Sequence, residues 1–185
     1  MTAATLIPSY TAGTWDIDPV HSDVSFSVRH MMVSKVRGRF GSFSGQITTA
    51  EDITGSSVTA TIDATTIDTN NEQRDNHIRS ADFFDVANHP TWSFASNAVR
   101  VDDGELRVDG ELTIKGVTRP VTLSLEVEGF GPDAYGGTRA GFSASTTINR
   151  ADFGVDISMP LDGGGVVVGD KVTINLEIEA VLRAS

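Results

Sequence analysis

Apolar and polar residues alternate with period two along most of the chain. Val24, Phe26 and Val28 alternate with Ser25, Ser27 and Arg29, and Val58, Ala60, Ile62 and Ala64 alternate with Thr59, Thr61 and Asp63. Leu106, Val108, Gly110, Leu112 and Ile114 share a face against Arg107, Asp109, Glu111, Thr113 and Lys115. The same holds for Val121 to Val127, for Phe142, Ala144 and Ile148, and for Val172 to Leu182. Such alternation predicts strands with one buried and one wet face, whereas a helix would set Leu176 beside Glu179 and mix the faces. Turn signals separate the runs: Asp102-Asp103-Gly104, Lys115-Gly116, Gly131-Pro132-Asp133 and Asp162-Gly163-Gly164-Gly165. The runs 105–115 and 117–130 are close enough to form a hairpin. Between 92 and 101 the apolar parity changes, from Trp92 and Phe94 to Val99 and Val101, which predicts a bulge. One segment breaks the pattern. Thr69-Asn70-Asn71-Glu72 has capping-box spacing before a polar stretch, and a short surface helix is expected at 71–80, ending before Phe83-Phe84.

No repeat, linker or composition shift divides the chain, so 1–185 reads as one domain, with 1–13 as a flexible or edge extension. About eight antiparallel strands must close into a barrel or stack as a sandwich. Pattern alone leaves both open. The inward positions include Ala60, Ala64, Ala98, Gly110, Ala144 and Ala180, and only 7% of residues are aromatic. Small inward side chains leave room for a ligand in a barrel of about eight strands, so the expected fold is all-β, a single antiparallel lipocalin-like barrel.

Composition narrows the partners. The 185 residues hold 14 Lys and Arg against 25 Asp and Glu, a net charge of −11, and no cysteine. That balance argues against a nucleic-acid surface and, less strongly, against an anionic membrane face. Absent cysteine removes disulfides, thiol chemistry and cysteine-ligated metals. No apolar run approaches the roughly 18 residues of a membrane span, so no stable membrane insertion is expected. The opening Met1 to Pro8 carries no Lys or Arg, which predicts a cytoplasmic location.

Motifs for nucleotide, zinc-protease or serine-hydrolase chemistry are missing; Gly41-Ser42-Phe43-Ser44-Gly45 has Phe where a nucleophile would stand. A three-histidine metal site is conceivable from His21, His30, His77 and His89, but backbone hydrogen bonds at strand ends are the plainer reading, and no metal or cofactor is expected. Arg37 and Arg39 share a strand face beside Gly38, while Arg74 and His77 stand at i and i+3 on the helix. Converging at a barrel mouth, these with Arg150 would make a cationic rim for a head group; otherwise they are solvated charges pairing with Asp75 and Asp82. Phe40, Phe43, Phe83, Phe84, Trp92, Phe94 and Phe153 would supply an apolar wall, or ordinary core.

His21 to His30, followed by Val36-Arg37-Gly38-Arg39-Phe40 and Phe43-Ser44-Gly45, resembles the opening of the YceI-like family of polyisoprenoid-binding proteins. The resemblance continues through Arg74 to Asp85, Gly110 to Thr118 and Asn149 to Val155, in family order from about Trp15 to Ala180. It implies an extended lipocalin-like barrel whose tunnel holds a long isoprenoid, a polyprenyl phosphate or an isoprenoid quinone, for carriage, storage or sequestration and without catalysis. The ligand-binding positions it implies are Phe26, His30, Arg37, Phe40, Phe43, Arg74, His77, Phe83, Phe84, Trp92, Phe94, Phe142, Arg150 and Phe153. Two alternatives stand beside it. One is an enzyme acting on a bound prenyl substrate with His30 or His77 as base; the other is a ligand-free barrel serving interaction or stress response. A barrel open at one edge could also form a homodimer.

Overall fold

The alternating segments become strands of one antiparallel sheet in the computed structural model, which describes residues 7–30, 33–156 and 168–184. In chain order they are β1 (Gly13–Ile17), β2 (Asp23–His30), β3 (Ser34–Phe40), β4 (Phe43–Thr49), β5 (Ser57–Asp63), β6 (Ile67–Asp68), β7 (Thr91–Asp102), β8 (Glu105–Ile114), β9 (Val117–Pro132), β10 (Thr138–Asn149) and β11 (Val168–Leu182). A helix, α1 (Glu72–Arg79), separates β6 from β7. Hydrogen bonding runs β1-β4-β5-β7-β8-β9-β10-β11, and β1 pairs again with β11, which closes these eight strands into a barrel. No helix among the described residues is long and apolar enough to cross a membrane.

Strand β11 does double duty. One edge pairs with β10 from Arg139↔Val181 to Asn149↔Lys171. Its other edge is shared: β1 takes Ala180 to Leu182, and β2 takes Val168 to Glu177. The hairpin of β2 and β3 therefore extends the wall past the end of β1, and β6 adds a short partner to β3 at Phe40↔Ile67. The β1–β4 ladder stops at Asp16↔Gln46, so Phe43, Ser44 and Gly45 of β4 are laddered only to β5. A seam is left in the wall there.

The turns follow from residues that tolerate positive φ. Asp103-Gly104 (φ 51° and 80°) and Lys115-Gly116 (φ 53° and 76°) make the tight hairpins β7–β8 and β8–β9. The expected bulge lies between Ser96 and Ala98, where the pairing with β8 shifts register. It turns Ala98 outward, so this alanine is exposed rather than inward-facing. Helix α1 lies within one residue of the expected 71–80 at each end, but its N-cap is not the Thr69 of the capping-box spacing. Asn71 is its N-cap, accepting from the Arg74 amide at 2.9 Å, because Thr69 is engaged instead by the buried Asp75 carboxylate through both its amide and its hydroxyl. Residues 7–12, expected to be loose, carry Tyr10 into the barrel end, where its hydroxyl donates to the Ala50 carbonyl at 2.6 Å.

Ring closure is reinforced by charge. One Arg139 nitrogen on β10 donates to Asp18 and to Glu179, each at 2.8 Å, and its Nε reaches Asp133 at 3.3 Å. Asp18 follows β1 and Glu179 lies on β11, so one guanidinium ties three neighbouring elements. His21 Nδ1 also contacts Asp18 at 2.8 Å. The Arg139 hydrogen bond, then that of His21, holds the Asp18 carboxyl far below the ordinary carboxylate range. A lowered folded-state pKa favours folding at every pH above that range, and the benefit fades as Asp18 protonates at lower pH. Arg139→Gln should therefore lower Tm at pH 7, with the gap from wild type narrowing as pH falls below the ordinary carboxylate range. Thermal melts from pH 7 to pH 2 check this; a gap unchanged across the series would be contrary.

Candidate functional site

The closed sheet surrounds an apolar cavity that opens to solvent. Inward side chains of the barrel strands line it, with Val24 and Phe26 from β2 and Phe40 from β3 at one end. Val58, Ala60 and Ile62 of β5, Trp92, Phe94 and Val99 of β7, and Val121, Leu123 and Leu125 of β9 form one side. Phe142 and Ala144 of β10 with Ile174, Leu176 and Ile178 of β11 form the other.

The lumen stays open because large side chains lie flat over glycines. A Cβ on Gly110 would stand 2.5 Å from Phe94 Cζ, and one on Gly38 would stand 2.5 Å from Phe26 Cζ. Gly45 accommodates Ile17 in the same way. Both ends are filled by aromatic contacts. Trp15, fully buried, meets Phe130 edge-on at 5.4 Å, and Phe130 meets Tyr10 at 5.2 Å and Phe142 at 6.0 Å. At the other end Trp92 lies 4.8 Å from Phe40 and 4.9 Å from Phe84, while Phe40 lies 5.8 Å from Phe26.

Polar lining is sparse and local. Tyr10, Thr49, Ser56 and Ser57 gather near the β4–β5 connection, Ser44 lies in the seam stretch of β4, Ser25 comes from β2 and Thr146 from β10. Thr49 accepts from the Trp15 indole at 2.9 Å and donates to the Thr11 carbonyl at 2.8 Å. Burial pushes the Tyr10 hydroxyl pKa up, aided by the nearby Asp52 and Glu51 charges and partly offset by its hydrogen bond with Ser56. Tyr10 is the only ionisable side chain among the described lining residues. One buried side-chain polar atom among the described residues has no partner, the indole nitrogen of Trp92. Leaving such a donor unmet costs about 1–3 kcal/mol.

Six of the fourteen positions singled out from sequence line this cavity: Phe26, Phe40, Phe43, Trp92, Phe94 and Phe142. Phe83, Phe84 and Phe153 pack outside the lining; Phe84 backs Trp92, Phe83 meets the His77 ring edge at 5.0 Å, and Phe153 is buried in the adjoining core. The polar positions do not converge on the cavity. Arg37 is exposed on the outer face of β3. Arg74 donates to the Thr69 hydroxyl at 2.8 Å and carbonyl at 2.5 Å, and Arg150 donates to the carbonyls of Gly169 and Val155, each at 2.9 Å. His77 pairs with Asp82 at 3.0 Å on the surface. Short strands and 3-10 turns leave carbonyls without ladder partners, and long guanidinium side chains satisfy them. The His30 side chain lies outside the described residues.

Sequence reasoning missed the aliphatic lining, among it Ile17, Ile47 and Ile53, and missed Tyr10. Strand alternation was the signal available for Ile17 and Ile47, whereas Ile53 lies in a 3-10 turn that alternation does not reach. Asp18, His21 and Glu179 place possible metal-ligating atoms within 4.8 Å of one another, but Arg139 already bridges the two carboxylates there.

The family described as YceI-like domain matches residues 15–180. A UPF0312 protein of Staphylococcus epidermidis is 38% identical over 167 residues, covering 89% of this chain and 95% of its own length. The crystal structure of Burkholderia cenocepacia BcnA superposes with a TM-score of 0.76 at 25% identity, over 88% of this chain and 98% of that one. A polyisoprenoid binding domain from Saccharophagus degradans, implicated in plant cell wall breakdown, shares the fold with a TM-score of 0.70 at 16% identity, over 94% of this chain and 100% of that one.

Substituting Gly110→Ala tests how the lumen is kept open. The new methyl would meet Phe94 and also stand 2.6 Å from the Ala95 carbonyl oxygen, a backbone atom that cannot swing aside. Urea unfolding should show a loss of about 1–3 kcal/mol, the usual cost of overpacking. An unchanged midpoint would mean that the ring and strand relax freely.

Proposed function

The chain belongs to the YceI-like family, and from that membership we propose that it binds a long-chain isoprenoid in the barrel, for carriage, storage or sequestration. One observation carries the reading: a hollow barrel whose described lining is apolar but for a few hydroxyls and holds no charged side chain. Each CH₂ moved from water into such a space gains about 0.8 kcal/mol. A branched hydrocarbon chain is therefore the part recognised, and ordering costs are offset within a few repeats. The Saccharophagus degradans polyisoprenoid binding domain, similar in fold, lends support to this class of ligand.

An uncharged head group suits the interior better than a phosphate. A buried phosphate would need paired cations, and Arg74 and Arg150 are committed to protein carbonyls. A quinone or prenyl alcohol can enter with its head, whereas a polyprenyl phosphate would leave its head outside. The described lining offers no acid–base pair for catalysis, and His77 with Asp82 stands away from it. Carriage rather than turnover is the reading these positions support.

Native mass spectrometry of the purified protein, followed by titration with a prenyl alcohol and a quinone, tests the proposal. Ala144→Phe should fill the lumen, leave the fold intact by circular dichroism and weaken binding by at least about tenfold, or roughly 1.4 kcal/mol. Phe94→Glu should do likewise by placing a charge in the wall. A wild-type protein that takes up neither lipid, or an Ala144→Phe variant binding as wild type does, would overturn the proposal.

A further inference from the structure

Most cations of this acidic chain are used internally, and those that are not lie together. Lys35, Arg37, Arg39 and Lys171 make no hydrogen bond or ion pair among the described residues, whereas the remaining Lys and Arg side chains all have partners. Lys35, Arg37 and Arg39 alternate along the outer face of β3, all exposed. Their cross-strand partners on β2 are Arg29, Ser27 and Ser25, so no carboxylate faces them from that strand. Lys171 is exposed on the next strand, one position from Val172, the partner of Val28. Acidic groups border this strip. Asp68 is laddered to Arg39, Asp23 pairs with Glu177 at the far end of β2, and Asp170 is taken by Arg150.

Two further features coincide with the strip. Val33, in the turn joining β2 to β3, is 84% exposed. Ser25, the partner of Arg39, also lines the cavity. An exposed basic face, an apolar residue at its hairpin end and a residue that lines the apolar lumen thus share the β2–β3 hairpin.

We propose that the outer face of β2, β3 and the adjoining part of β11 docks on an anionic lipid bilayer. Each basic residue near such a surface strengthens attachment about fivefold. The acidic remainder, at a net −11 for the whole chain, does not cancel this. Screening limits its reach to about 8 Å at physiological salt, so repulsion from the opposite side is largely lost. It orients the molecule, strip toward the bilayer and the rest away. The surface does not depend on which isoprenoid fills the lumen, and its test reads attachment rather than ligand uptake.

The experiment is co-sedimentation of the full chain with phosphatidylcholine vesicles, with and without about 30 mol% phosphatidylglycerol. Binding should favour the anionic vesicles by at least about tenfold and fall away as salt rises toward 1 M. The triple variant Lys35→Gln, Arg37→Gln, Arg39→Gln should lose at least about tenfold, while Arg100→Gln with Arg183→Gln, which remove charge elsewhere, should bind as wild type does. Melting curves establish that each variant is folded. Equal binding to both vesicle types, or equal loss in the two variants, would overturn the proposal. So would binding of inorganic phosphate or polyglutamate at the same residues without vesicle binding, which would assign the face to a small anion or an acidic protein.

Discussion

A barrel with an empty middle has to be held together by its rim. Where the lumen is open it lacks the contribution of a packed centre, so the hydrogen-bonded ring and the two filled ends carry more of the stability. The residues most completely removed from solvent reflect this. Trp15 and Ala180 lie at one end, and Ile67, Ile114 and Phe153 at the other. The ring depends on β11, which must satisfy β10 on one edge while dividing the other between β1 and β2. That division explains the seam: a single strand cannot hold both partners over its whole length, so β1 stops and β2 takes over. Arg139 sits beside this junction, where a guanidinium with several donors can bridge elements that backbone pairing leaves apart.

Keeping the lumen open is a matter of where volume is placed. Aromatic rings that could fill a core lie against the wall because glycine stands beneath them, as Gly110 does for Phe94 and Gly38 for Phe26. The hydrophobic surface is retained and the space above it is freed. Rings at the ends do the opposite and interlock edge to face, Trp92 with Phe84 and Trp15 with Phe130. One residue type therefore serves both as lining and as plug, according to what lies under it.

Strand alternation made the fold legible before any coordinates, since a period of two reports a face directly. Ala60 and Ala144 line the cavity as their small size suggested, and Gly110 is inward as its parity required. Ala98 was misread because a bulge reverses parity within a residue, and the position of that reversal is set by pairing with β8. The polar residues were harder. Arg74 and Arg150 read in sequence as head-group ligands, yet each reaches backbone carbonyls. The carbonyl taken by Arg74 lies beside β6, which spans only Ile67–Asp68, and those taken by Arg150 lie on Gly169 and Val155, placements set by tertiary pairing that no local pattern carries. His77 stands on the surface helix that the polar pattern predicted, and its pairing with Asp82 matches the solvated alternative rather than the cationic rim.

Charge shows the same limit from another side. A sum of −11 speaks for solubility and long-range repulsion, but a surface is met one face at a time and through screened solvent. The spacing of Lys35, Arg37 and Arg39 already placed three cations on one face of a strand. Sequence could not show whether carboxylates on neighbouring strands would neutralise them. The register answers that: serines and Arg29 stand opposite, and the acidic residues stand at the margins. Total charge argues against an anionic membrane partner only for a protein whose charges are mixed. Here they are sorted, and the sorting follows from the order in which β11, β2 and β3 join the sheet.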